Sequence, residues 1–182
     1  MRITIDHEGA FQTTCVPVPP FAADPSLLAR GEPPTIFSNP IQVRLDPIQV
    51  RLDPTPTEPS LFTRTKTTKR AHYDKARVRS GIPSLLAPQG SYFEALLIDR
   101  DNHILESDIY NVAFYRGGRW VTPHAKYGCL PGVFRKFLLE QGLIDEDQDD
   151  RITKYNIKDG EYVLLCNGAQ GCRVGRISLV DN

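Results

Sequence analysis

Tyr92-Phe93-Glu94-Ala95-Leu96-Leu97-Ile98 is the stretch of this 182-residue chain from which its architecture is best read. It is a short apolar run closed by the turn residues Asp101-Asn102, the pattern of a strand with a core behind it. Downstream, Val112 to Tyr115, then Gly117-Gly118, then Trp120 to Thr122 read as a hairpin. Pro131 is expected to open an amphipathic helix with Val133, Phe134, Phe137 and Leu138 on one face and Gly142 as its stop. Tyr162 to Cys166 and Arg173 to Val180 supply two more strands around a turn at Asn167-Gly168. Upstream of the opening run, Thr68 to Arg79 is rich in Lys, Arg and Ala and suits a helix. From Leu61 onward the sum is a mixed α+β domain.

The first sixty residues read differently. Arg2 to Ile5, the turn His7-Glu8-Gly9 and Phe11 to Val18 predict a hairpin that pairs with a sheet or lies at its edge. From Pro17 to Pro59 the chain carries most of its 15 prolines and little apolar periodicity, so an extended connector without a compact core is expected. Within it Pro40-Ile41-Gln42-Val43-Arg44-Leu45-Asp46 is followed at once by an identical copy, Pro47 to Asp53. Two copies are too few for a solenoid, so the repeat reads as a local duplication in which one copy enters the domain as a strand and the second bulges out as a loop.

Lys plus Arg equal 22 and Asp plus Glu equal 22, so nothing in the overall charge attracts nucleic acid or an acidic membrane surface. The expected partner is a small molecule or another protein. Cys15, Cys129, Cys166 and Cys172 form no C-x-x-C pair and no histidine stands at ligand spacing, which indicates neither a metal site nor a disulfide framework. The first ten residues lack the apolar core of a signal peptide and no run approaches membrane-spanning length, so a cytoplasmic location is expected.

Four segments carry potential chemistry. In Thr65-Lys66-Thr67-Thr68-Lys69-Arg70, Lys66 has cationic neighbours at Arg64, Lys69 and Arg70 that would favour a neutral, nucleophilic amine if they converged on it. Leu105-Glu106-Ser107-Asp108-Ile109-Tyr110-Asn111-Val112 sets a carboxylate just before a strand and an asparagine at that strand's start. A carboxylate there can keep a pyridine nitrogen protonated. Gly128-Cys129-Leu130-Pro131-Gly132-Val133-Phe134-Arg135 opens a helix, where backbone N–H groups and the helix dipole suit a phosphate. Asn167-Gly168-Ala169-Gln170-Gly171 is a small-residue turn whose amides can approach the same anion. Taken singly, each has a plain structural reading as a basic helix start, a surface turn or a helix cap.

Their order changes that. K-T-T-x-R, E-A-L-L-I-D, E-S-x-x-x-N-V, G-C-L-P-G-V-x-R and N-G-x-x-G-C-R-V together resemble the class IV aminotransferase and 4-amino-4-deoxychorismate lyase superfamily, pyridoxal-phosphate enzymes of fold type IV, over about two thirds of the chain. The resemblance implies the C-terminal, cofactor-binding domain of that fold at residues 61–182, a connector at 19–60 and a remnant of the N-terminal domain at 1–18. It implies pyridoxal 5'-phosphate as cofactor, Lys66 as the Schiff-base lysine and Glu106 as the partner of the ring nitrogen. Gly132, Val133 and Phe134 match the first phosphate turn, and Gly168 with Ala169 the second. Arg70 and Asn111 are placed as substrate or support residues. A homodimer acting on a small amino substrate is also implied.

Branched-chain members carry a tyrosine five residues after the lysine, where this chain has Ala71. That departure and the K-T-T-x-R run favour the lyase branch, which releases pyruvate and yields 4-aminobenzoate for folate synthesis. The alternatives are a branched-chain or D-amino-acid aminotransferase and, because the resemblance implies that only a remnant of the N-terminal domain is present at 1–18, a non-catalytic remnant.

Overall fold

The structure, a computed structural model, describes residues 2–15, 24–33 and 46–179. Arg2–Ile5 (β1) and Phe11–Thr14 (β2) pair antiparallel as a separate two-stranded sheet, so the expected hairpin forms but does not join the main sheet. Its continuation through Val16 to Val18 lies outside the described residues, as do residues 40–45 of the first heptapeptide copy and Val180.

The main sheet has eight strands: Ile48–Leu52 (β3), Phe93–Ile98 (β4), Ile104–Ser107 (β5), Asn111–Arg116 (β6), Arg119–Thr122 (β7), Asp145–Glu146 (β8), Tyr162–Asn167 (β9) and Gly171–Ser178 (β10). Their order is β5-β4-β3-β10-β9-β6-β7-β8. Side chains alternate across it as the pleat requires. Leu96 and Ile98 of β4 face one core with Val163 and Leu165 of β9, while Ala95, Leu97, Leu164 and Cys166 face the other side. The first core draws on strands from β5 to β7 and on Ile152, whose carbonyl accepts the N–H of Ile104, so the sheet folds over a single interior.

Helices cover the opposite face. Ala71–Arg79 (α2) follows the single turn Leu61–Arg64 (α1) and packs Tyr73 and Ala76 on Ala95, Leu97, Leu105 and Cys129. Val133–Glu140 (α3) packs Leu138 on Ala113, Leu164 and Cys166. Two details of the expected third helix change. It starts at Val133 with Gly132 as its cap, leaving Pro131 outside, and Val133 and Phe137 are exposed rather than on the buried face. Residues 24–33 are tied down as well: the Trp120 indole donates to the Gly31 carbonyl and the Cys172 N–H to the Pro25 carbonyl.

The proline-rich segment supplies what its composition concealed. The second heptapeptide copy is β3, parallel to both β4 and β10, with Ile48 and Val50 buried. Burying each such side chain is worth roughly 1.5 to 3 kcal/mol. Asp53, also buried, takes a two-pronged ion pair from Arg79 at 2.9 and 2.5 Å. The expectation of no core between Pro17 and Pro59 therefore fails at 48–53, where one heptapeptide copy enters the domain as a strand, as the repeat suggested, and buries its apolar face.

Deletion of Pro47–Asp53 leaves an identical run, Pro40–Asp46, joined directly to Pro54. Since the remaining copy offers the same Ile, Val and Asp, the shortened chain is expected to melt within a few degrees of the full one, loop shortening being a small term. Deletion of both copies is expected to abolish the cooperative transition, and thermal unfolding followed by circular dichroism distinguishes the two.

Candidate active site

The loop between α1 and α2 carries Lys66. A capping box starts α1: the Ser60 side chain accepts from Phe62 N, and Thr63 Oγ1 accepts from Ser60 N. The helix ends after one turn, and the extended chain through Thr65 delivers Lys66 to the surface. Each of the neighbouring cations has a partner of its own. Arg64 donates to the Lys126 carbonyl, Lys69 lies 5.2 Å over the Phe62 ring, and Arg70 lies 4.6 Å over the Tyr73 ring while donating to the Asp108 carbonyl at 2.6 Å.

Glu106 sits in β5, a strand that the sequence reading did not foresee, and is buried. Its Oε1 accepts the Tyr73 hydroxyl at 2.7 Å and its Oε2 accepts the Asn111 amide at 3.2 Å. Burial pushes its carboxyl up to about 8, against the opposing pull of the Tyr73 hydroxyl, the Leu130 N–H and the positive charges of Lys66 and Arg70. The lysine and the carboxyl therefore share one neighbourhood, the first exposed and the second dry.

Asn111 links Glu106 to the glycine-rich loop, its amide donating also to the Leu130 carbonyl at 2.8 Å. Gly132 passes so close that a Cβ there would sit 2.2 Å from Asn111 Oδ1, a distance no side chain tolerates. Only glycine lets the loop and the asparagine meet. A Cβ on Gly168 would lie 3.1 Å from the Val133 methyl, so the two predicted anion turns adjoin each other. The N–H of Ala169 is already given to Asn167 Oδ1 at 3.0 Å. Phe134 stacks on Phe137 and packs toward the α3 core.

Three participants escaped the sequence reading. Tyr73 is one. Arg77 and Asp108 are the others, a fully buried ion pair at 2.8 Å that holds the turn between Glu106 and Asn111. Arg77 also donates to the carbonyls of Pro83, Gly90 and Phe93, and Asp108 Oδ1 accepts the Ala95 N–H. Beside it, Glu94 Oε2 accepts the Ser107 hydroxyl and the Ile109 N–H. Burial and the adjacent Asp108 charge hold Glu94 well above the carboxylate range.

The fold is shared with a putative amino-acid aminotransferase from Mesorhizobium loti (TM-score 0.65, 23% identity, 96% of this chain and 70% of that one). It is shared also with a putative 4-amino-4-deoxychorismate lyase from Legionella pneumophila (TM-score 0.56, 20% identity, 77% and 50%). The chain belongs to the class IV amino-transferase family, which it matches over residues 27–177. In sequence it is similar to the putative aminodeoxychorismate lyase of Schizosaccharomyces pombe, 42% identical over 102 residues, and to the aminodeoxychorismate lyase of Saccharomyces cerevisiae, 37% identical over 133. Those matches cover 56% and 67% of this chain but 42% and 35% of the two relatives.

Glu106 makes stability depend on pH with a definite sign. Between the ordinary value of 4.5 and about 8 the unfolded carboxyl is ionised and the folded one protonated, so unfolding releases a proton and stability falls as pH rises. Denaturant unfolding of Glu106→Gln should lack this component. Its stability relative to wild type is expected to rise between pH 5 and pH 8, by an amount on the order of a few kcal/mol, and to change little above that window.

Proposed function

We propose that this chain is the cofactor-binding part of a pyridoxal-phosphate enzyme acting on an amino substrate, of the aminodeoxychorismate lyase type. The observation that carries the reading is Lys66 in front of a buried Glu106, with the Gly132 and Gly168 turns beside it, in a chain of this family. The residues fit the cofactor. A carboxyl that burial, against the pull of its donors and nearby cations, leaves neutral up to about 8 is stabilised as an anion by a facing N–H cation. The start of α3, where no side chain caps the first N–H groups, suits a phosphate.

Pyridoxal phosphate supplies an aldehyde that captures an amine and a protonated pyridine ring that withdraws electrons from it. Lys66 Nζ is the group that holds the cofactor covalently and then takes or returns a proton at the substrate α-carbon. Glu106 presents its charge to the ring nitrogen, and Asn111 holds Glu106 and the Leu130 carbonyl in register. The amides of Val133 and Phe134, with Gly168, receive the phosphate; the N–H of Gly132, given to the Leu130 carbonyl at 2.8 Å, and that of Ala169, bound by Asn167, serve the shapes of their turns. Arg70, committed to Tyr73 and the Asp108 carbonyl, supports the site rather than the substrate.

The lyase reading, release of pyruvate with formation of 4-aminobenzoate for folate synthesis, is favoured by the two yeast relatives and by the K-T-T-x-R run at Lys66–Arg70. Transamination begins with the same groups, and Ala71 in place of a tyrosine weighs against the branched-chain type. A cytoplasmic homodimer completes the proposal. Among the described residues no helix is long and apolar enough to cross a membrane.

Borohydride reduction of the chain mixed with pyridoxal phosphate, followed by peptide mapping, is expected to place the label on Lys66 and to give none at that peptide in Lys66→Ala. Label confined to Lys69 or Lys126 would remove the assignment. In an active preparation, Glu106→Gln is expected to keep the label yet lose turnover by about 10²-fold or more, the usual effect of removing a preorganised charge partner.

A further inference from the structure

Tyr73 has no part in the reading so far, yet it touches the group on which that reading turns. It lies in the first turn of α2, and positions three and four residues on, Ala76 and Arg77, share its buried face. Its ring packs with Ala76, Leu97, Leu105 and Cys129, and the Arg70 guanidinium lies over it. The ring therefore has little freedom, and the single polar atom it carries reaches Glu106 Oε1 at 2.7 Å.

We infer that Tyr73 is the positioning residue of Glu106: its hydroxyl and the Asn111 amide grip the two carboxyl oxygens from different elements, fixing the direction the carboxylate faces and favouring its ionised form. This rests on the assignment of Glu106 to the ring nitrogen. The terminal torsion of a glutamate is soft, so one hydrogen bond leaves the carboxyl free to swing. Two donors, one from α2 and one from β6, remove that freedom. A donor that cannot itself ionise stabilises the anion against the neutral acid. Tyr73 meets that condition, since burial and the Glu106 charge push its phenol far above its ordinary value. Burial acts on Glu106 in the opposite sense, so the hydroxyl offsets part of it. A phenylalanine at this place would fill nearly the same volume and do neither.

The test is a carboxyl-carbon NMR titration of the full chain without cofactor, with the Glu106 signal assigned by its loss in Glu106→Gln. In Tyr73→Phe the Glu106 midpoint is expected to rise by roughly one unit, a tenfold drop in the ionised fraction at fixed pH. Should Tyr73→Phe not fold, 3-fluorotyrosine at position 73, a stronger donor of nearly equal size, is expected to lower the midpoint instead. An unmoved midpoint in a folded variant would overturn the inference and leave Tyr73 as a structural tie between α2 and β5. Because this titration needs no cofactor, it separates from the labelling of Lys66: a missing label with a shifted midpoint would count against the cofactor assignment alone. With label present, the pH dependence of the bound chromophore's absorbance is expected to move in the same variant, whereas a structural tie would change only the melting temperature.

Discussion

The Arg77–Asp108 ion pair is the constraint on which the site depends. Both side chains are sealed from water, and the guanidinium is shared among a carboxylate and the carbonyls of Pro83, Gly90 and Phe93. Removing one partner of such a pair typically costs 3 to 5 kcal/mol, because the other charge is left buried and alone. Here the pair joins α2, which carries Tyr73 and follows Lys66, to the turn between β5, which carries Glu106, and β6, which starts at Asn111. Lysine-bearing and carboxylate-bearing segments are thereby held in one register.

Around this pair the protein concentrates acidic groups where water is absent. Glu94, Glu106 and Asp108 all come from β4, β5 and the turn that follows, and the raised values of Glu94 and Glu106 share one leading cause, loss of solvent. The three are treated differently. Asp108 faces Arg77, Glu94 Oε2 accepts from Ser107 and the Ile109 N–H, and Glu106 is gripped by Tyr73 and Asn111 with Lys66 nearby. Perturbed carboxyls that cluster beside a reachable lysine are a frequent mark of catalytic sites. The arrangement leaves the amine exposed and the acid buried and held from two sides.

Much of this was legible in the sequence, for physical reasons that differ by element. β4, β6, β7 and β9 announce themselves through apolar runs bounded by Gly, Asn and Asp, and α2 through its Lys/Arg/Ala content. β5 was hidden because Ile104–Ser107 is short and two of its four residues are polar, whereas β3 was foreseen as one copy of the heptapeptide entering the domain. The amphipathic reading of α3 held for Leu138 and failed for Val133, which meets the Gly168 turn, and for Phe137, which is exposed and stacks on Phe134. Lys66, Glu106, Asn111 and Gly132 were readable from motif order. Tyr73, Arg77 and Asp108 were not, because their roles arise from contacts across 31 to 33 residues of chain that no local pattern encodes.

The central claim is that Glu106, fixed from two sides, presents its charge to a pyridine nitrogen. Solution NMR of the chain loaded with pyridoxal phosphate labelled with nitrogen-15 in the ring tests it most directly. The account expects the ring nitrogen to resonate as a protonated pyridine at pH 8 in the wild-type chain and as an unprotonated one in Glu106→Gln. An unprotonated nitrogen in the wild type, or a protonated one that survives the substitution, would contradict it.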